Sequence, residues 1–162
     1  WAIESRIYAE DPSRNFLPKP GFVRKLELPV GPGIRSDVGI VEGQEVSSAY
    51  DPLLSKLVVW DYNRADAIDR MNYALSNFIV LGLITNQPFL KEVICNEEFI
   101  KGNFDTNFIS ENFADWKLEE IPLEAIASAL LSSKGSAIAT INNDEKSVSS
   151  PWNQKGHWRQ GL

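Results

Sequence analysis

One histidine, His157, and one cysteine, Cys95, bound the chemistry open to this chain. A lone imidazole and a lone thiol cannot build a multi-histidine or multi-cysteine zinc site, and a lone cysteine cannot close an internal disulfide. His157 lies in a polar, glycine-flanked tail away from any nucleophile motif, so self-contained Ser/His/Asp and Cys/His catalysis are excluded as well. Carboxylates, Arg and Lys remain, and three places offer them. From Ile3 to Ala9 the residues alternate, which sets Ile3, Ser5 and Ile7 on one face of a strand and Glu4, Arg6 and Tyr8 on the other. Taken alone, Arg6 beside Glu4 is first of all a surface ion pair. Asp51, before Pro52, could stand at the mouth of a site, although Asp-Pro is primarily a turn former at a strand's start. Gly31-Pro32-Gly33-Ile34-Arg35 is glycine-rich but has neither Gly-Lys-Ser/Thr nor a helix directly after it, which favours a strand-connecting turn over a phosphate loop.

The elements that must position these residues are legible in outline. Glu10 to Asn15 reads as a turn, Phe22 to Leu28 as a strand, and Ile34, Val38 to Val41 and Val46 as short strands around a tight turn at Glu42-Gly43. Leu53 to Trp60 is the most apolar strand. At Asn63 the period changes: Ala67, Ile68, Met71, Ala74, Leu75 and Phe78 form one helical stripe, with Asn63 as N-cap and Gly82 as a left-handed C′ residue. A second helix is expected from about Asn86 through Ile94, with Pro88 in its first turn and Cys95 a small buried hydrophobe near its end. A short helix near Asp105 or Thr106 and a last one over Pro122 to Leu131 complete the set. Strands followed by helices predict an α+β fold, an antiparallel sheet with packed helices.

With 162 residues, 43% hydrophobic and 23% charged, the chain has one domain's worth of material and a real core. Sixteen Lys+Arg against 22 Asp+Glu give a net charge of -6 and no global field for phosphate backbones, and the five tryptophans form no stacking stripe. Nucleic acid is not an expected partner. The best apolar run, Leu75 to Leu83, is broken by Ser76, Asn77 and Gly82, which excludes a membrane span. Opening at Trp1, without a basic stretch and apolar leader, the sequence reads as an excised piece, and its cysteine usage fits a reducing, cytoplasm-like compartment.

Taken in order, Trp1-Ala-Ile-Glu-Ser-Arg-Ile-Tyr-Ala-Glu-Asp-Pro, Phe16-Leu-Pro, Gly33-Ile-Arg-Ser-Asp, Tyr50-Asp-Pro-Leu-Leu-Ser-Lys-Leu, Gly82-Leu-Ile-Thr-Asn and Thr106-Asn-Phe-Ile resemble the carboxyl-terminal domain of biotin carboxylase. The likeness covers roughly residues 1–115. The opening at Trp1-Ala-Ile-Glu, and a chain that runs on well past Ile109, are most similar to the biotin-carrying α subunit of an acyl-CoA carboxylase of the propionyl-CoA or methylcrotonyl-CoA type. Residues 116–162 are then a helix and tail that could open the region docking on the carboxyltransferase β subunit. The carrier motif Ala-Met-Lys-Met is absent, so this piece holds no covalent biotin.

The resemblance implies a step in which ATP activates bicarbonate to carboxyphosphate and the carboxyl group passes to N1′ of biotin, in the cytoplasm or, in a eukaryote, the mitochondrial matrix. ATP, Mg²⁺ and biotin are implied for the complete enzyme, and none is expected to bind this piece alone. The implied partners are the upstream ATP-grasp domain, which carries the Mg²⁺ carboxylates and the base for bicarbonate, the biotin carrier domain and the carboxyltransferase β subunit. No metal ligand falls here, and the piece alone should be inactive. The family's catalytic Arg falls on Arg6, whose guanidinium would stabilise the enolate-like oxygen formed when biotin loses its N1′ proton. Asp51 corresponds to a residue lining the biotin pocket, and Phe108 to an apolar residue near the adenine of ATP. A non-catalytic alternative is an interaction module that docks a partner through Pro122 to Leu131.

Gly31 to Arg35 matches the family's dimer-contact loop, but Pro32 replaces an aromatic found in the bacterial enzyme. The isolated domain is therefore expected to be a monomer; a concentration-independent mass of two chains in light scattering would contradict this.

Overall fold

The computed structural model describes residues 1–47, 49–118, 122 and 126–129. β1 (Ala2–Tyr8), β2 (Glu10–Asp11), a 3-10 turn at Pro12–Arg14, β3 (Leu17–Pro18), β4 (Gly21–Phe22), β5 (Lys25–Glu27), β6 (Ile34–Val38), β7 (Glu45–Val46) and β8 (Leu53–Trp60) precede α1 (Arg64–Asn77). After it come β9 (Ile79–Leu81), α2 (Gln87–Cys95), α3 (Glu97–Lys101) and α4 (Phe108–Asn112). Every strand pair is antiparallel: a three-stranded sheet of order β1-β8-β6, and two-stranded ladders β2-β3, β4-β7 and β5-β9. This is the expected α+β architecture.

The core forms where the inner face of the sheet meets α1. Ile7, Leu57 and Val59 are 0% exposed on the strands, and Met71, Ala74 and Leu75 are 0% exposed on the helix. Phe78, Val23, Leu54 and Ile94 close the same cluster. The helical stripe predicted from the three- and four-residue spacing is thus the buried face. Asn63 caps α1, its Oδ1 accepting from the Asp66 amide at 2.9 Å.

Five expectations are corrected. The strand foreseen over Phe22 to Leu28 is two strands in different ladders, because buried Val23 donates to Gln44 O while Arg24 donates to Leu81 O, switching the pairing partner. Gly82 is not the C′ residue of α1. The helix ends at Asn77 and Phe78 turns into β9, leaving Gly82 at φ +95°, where an added Cβ would stand 2.1 Å from Phe22 O. The separate short strands expected at Ile34 and Val38 to Val41 are one strand, β6, which ends at Val38 and leaves residues 39–41 outside it. Cys95 is exposed, since the inward positions of α2 are taken by Phe89 and Ile94. The helix expected near Asp105 starts at Phe108, and α3, capped by Asn96 and ended by Gly102 in the left-handed conformation, precedes it. Contacts divide the chain into units Trp1–Glu119 and Glu120–Leu162. In the second, residues 126–129 are helical and Ile126 donates to Pro122 O; the rest of the expected Pro122 to Leu131 helix and the tail from Ser132 lie outside the described residues.

A carboxylate–guanidinium clamp ties the loop before β6 to α1. Arg70 Nε donates to Asp61 Oδ2 at 2.9 Å, Nη2 donates to the same oxygen, and Nη1 donates to Pro32 O. Next to the clamp, Gly33 takes φ +71° and accepts from Trp60 N at 2.8 Å, with its Cβ site 2.4 Å from Trp60 O, so a side chain there would be expelled. The Arg70 hydrogen bond, aided by the Tyr62 amide, holds the Asp61 carboxyl below its ordinary range. The native state therefore binds fewer protons than the unfolded chain. The stabilisation is fully present above the unfolded carboxylate pKa of about 4 and is lost as pH falls through the lower native value. Urea midpoints measured from about pH 6 down to about pH 3 are expected to fall less steeply for Asp61→Asn than for wild type; parallel curves would show that the clamp contributes nothing.

Candidate active site

Because β1 shows Ser5 and Ile7 to the core, Arg6 must stand on the outer face of the sheet. The register then fixes its neighbours. Arg6 lies opposite Lys56 on β8, which lies opposite Asp37 on β6; one row along, Glu4, Val58 and Arg35 repeat the order. Five charged side chains thus share one sheet face. Arg35 forms a two-pronged bond to Asp37, Nε to Oδ1 and Nη2 to Oδ2, both at 2.8 Å, and Lys56 Nζ stands 3.5 Å from Asp37 Oδ2. These cations, Arg35 first, hold the Asp37 carboxyl below its ordinary value.

Arg6 is bound lightly. Its Nε donates to Glu4 Oε1 at 2.9 Å, and its side chain is 62% exposed. Glu4, and after it Tyr8, raise the guanidinium pKa, so the group is a permanent cation. It borders an open depression of about 400 Å³ lined also by Asp37, Gly39, Leu53, Leu54 and Lys56. The backbone beneath it is held firmly. β1 ends the sheet, and on its outer edge the buried Asn86 takes the place of a strand: Oδ1 accepts from Tyr8 N at 2.9 Å, Nδ2 donates to Arg6 O at 3.1 Å, and Asn86 N donates to Tyr8 O at 3.2 Å.

The other two candidates lie elsewhere on the unit. Asp51 is exposed, and its Oδ1 accepts from Leu53 N at 2.8 Å, the turn-forming bond foreseen for Asp-Pro. It stands two residues before the Leu53 wall of the Arg6 depression and beside Glu10, whose carboxyl is raised by burial and by the Asp51 charge. Phe108 is 7% exposed, packed among Phe99, Phe104 and Phe113 with ring centroids at 6.3, 6.1 and 5.8 Å. It borders a different cavity of about 500 Å³ together with Glu98, Asp105 and Glu111. Asp51 thus precedes the strand that lines the Arg6 depression without itself belonging to that lining, and Phe108 borders a different cavity. Among the described residues no three His, Cys, Asp or Glu are placed to hold a metal ion, and no helix is long and apolar enough to cross a membrane.

Residues 4–111 match the family described as the biotin carboxylase C-terminal domain. The chain belongs to that family. It is 44% identical over 117 residues to the mitochondrial propionyl-CoA carboxylase alpha chain of Mus musculus, covering 71% of this chain and 16% of the relative. To the mitochondrial methylcrotonoyl-CoA carboxylase subunit alpha of Arabidopsis thaliana it is 38% identical over 160 residues, 96% of this chain and 21% of the relative. Among solved structures, the biotin carboxylase domain dimer of Hydrogenobacter thermophilus 2-oxoglutarate carboxylase, in complex with MgADP and bicarbonate, superposes with a TM-score of 0.70 at 34% identity, over 74% of this chain and 26% of that one. The complete pyruvate carboxylase of Rhizobium etli gives 0.68 at 34% identity, over 74% and 12%. The chain spans about a fifth or less of the length of the two carboxylase subunits.

The sequence placed Arg6 on the outer face of β1 but did not show the groups around it. Asn86 was expected only as the start of α2, yet its side chain makes no cap there. Lys56, Arg35 and Asp37 lie far from Arg6 in the chain, and only the strand register sets them on its face of the sheet. Since an exposed single ion pair contributes little to folding, Arg6→Ala is expected to leave the urea midpoint of the domain unchanged; a clear drop would make Arg6 a structural residue.

Proposed function

We propose that this domain forms the biotin-facing wall of an ATP-dependent biotin carboxylase within an acyl-CoA carboxylase α subunit, with Arg6 as its catalytic residue. The observation that carries this reading is the combination at Arg6: a permanently charged fork, open to solvent, on a strand bonded along one edge by β8 and along the other by Asn86. An arginine kept there for stability would be buried in its pairing, as Arg70 is with Asp61.

When the biotin ureido ring loses its N1′ proton, negative charge develops on the ureido oxygen. A guanidinium fixed on a strand stabilises that charge without having to reorganise, which is the condition for effective electrostatic catalysis. The weak tie to Glu4 leaves the group available. Asp51, two residues before β8 begins, is assigned to the biotin side as well, next to the Leu53 wall of the depression. Phe108 belongs to the nucleotide side: its cavity is walled by aromatic rings and carboxylates, a lining that suits the flat adenine rather than the phosphates. Mg²⁺ and the ATP phosphates are held by the upstream ATP-grasp domain. The biotin carrier domain delivers the ureido ring, and the carboxyltransferase β subunit receives the product, in the cytoplasm or the mitochondrial matrix. Alone, the domain binds none of these groups and is inactive.

In the complete carboxylase chain, Arg6→Ala and Arg6→Lys are expected to reduce biotin-stimulated, bicarbonate-dependent ATP hydrolysis about a hundredfold or more, the loss typical of removing one preorganised oxyanion donor. Lysine keeps the charge but not the fork, so it should not rescue. Wild-type turnover in both variants would overturn the assignment.

A further inference from the structure

Asn86 closes a motif, Gly82-Leu-Ile-Thr-Asn86, whose last residue has the wrong bonds for its place in the chain. It sits at the N-cap of α2, where an asparagine side chain ordinarily accepts from the first helical amides. Here it makes no such bond; Thr85 Oγ1 instead accepts from Gln87 N, at 3.4 Å. The Asn86 amide is spent on β1, and its two ends are used in the one orientation that satisfies both partners: oxygen toward Tyr8 N, nitrogen toward Arg6 O. The residue is 6% exposed, so these bonds are shielded from water.

Resting on the reading of Arg6 above, we infer that Asn86 is a positioning residue for it, setting the guanidinium by fixing the β1 backbone at residues 6 and 8. The sheet holds β1 from one side only. On its inner side β1 is paired with β8, but the register slips between Ile7 and Tyr8, one residue beyond Arg6, and the outer edge has no strand partner among the described residues. At that weak point Asn86 supplies three hydrogen bonds, two from its side chain and one from its own amide. Its neighbour Gln87 is anchored in turn, its Nε2 donating to Phe78 O at 2.7 Å and to Leu75 O, so the support reaches back to the core helix α1.

The test compares wild type, Arg6→Ala, Asn86→Ala and the double variant in the complete carboxylase chain, following ATP hydrolysis with bicarbonate, with and without free biotin. Asn86→Asp is the second variant: it keeps the size and the acceptor for Tyr8 N, but puts a carboxylate oxygen where the donor to Arg6 O stood. Both Asn86 variants are expected to lower the ratio of biotin-stimulated to biotin-independent hydrolysis by about tenfold to a hundredfold, the effect of misplacing a catalytic group by about 1 Å. In the Arg6→Ala background the residual biotin-stimulated rate should fall no further when Asn86 is replaced, because nothing remains to be positioned. Equal losses in both backgrounds, or an unchanged ratio, would overturn the inference while leaving Arg6 catalytic. Full biotin stimulation in Arg6→Ala alone would overturn the reading on which it rests.

Discussion

Everything at this site follows from one pairing, the antiparallel contact of β1 with β8. It commits Ser5 and Ile7 to the core against α1, and by alternation it commits Glu4, Arg6 and Tyr8 to the opposite face. A slip of one residue would bury the guanidinium and expose the isoleucine, at a cost no local bond could offset. The same pairing sets Lys56 across from Arg6, and through β6 it sets Asp37 and Arg35 on that face too. The electrostatic character of the site is therefore a consequence of strand register.

Rigidity and exposure are divided between backbone and side chain. The β1 backbone is bonded on both edges, by β8 on one and by Asn86 on the other, whereas the Arg6 side chain stays exposed and is tied to its strand neighbours Glu4 and Tyr8. A group that must meet developing charge benefits from that division, since its origin is fixed and its tip is free to engage. The Arg70–Asp61 pair shows the contrasting use of the same chemistry. There the guanidinium is folded onto a largely buried carboxylate and a loop carbonyl, which makes it a fastener.

Much of this was legible in the residue order. The alternation of Ile3 to Ala9 assigned Arg6 its face, the stripe through Met71 assigned the core helix, and the ordered motifs identified the family. What could not be read was pairing between distant segments. Nothing local in Phe22 to Leu28 announces that its two halves join different ladders, or that Gly82 serves a strand crossing at Phe22 instead of the end of α1. Asn86 is the sharpest instance: its type and position say helix cap, and only β1 lying alongside shows where its amide is used. Phe108, chosen by motif, falls in an aromatic cluster separate from Arg6, because motif order carries no distances.

The central claim is that Arg6 meets the ureido oxygen of biotin from the outer face of β1. A crystal structure of the complete carboxylase with biotin bound tests it most directly. The account predicts a guanidinium nitrogen of Arg6 within about 3 Å of the ureido oxygen, over the depression bordered by Leu53 and Lys56. A biotin ring seated elsewhere, with Arg6 still turned to Glu4 and Tyr8, would contradict it.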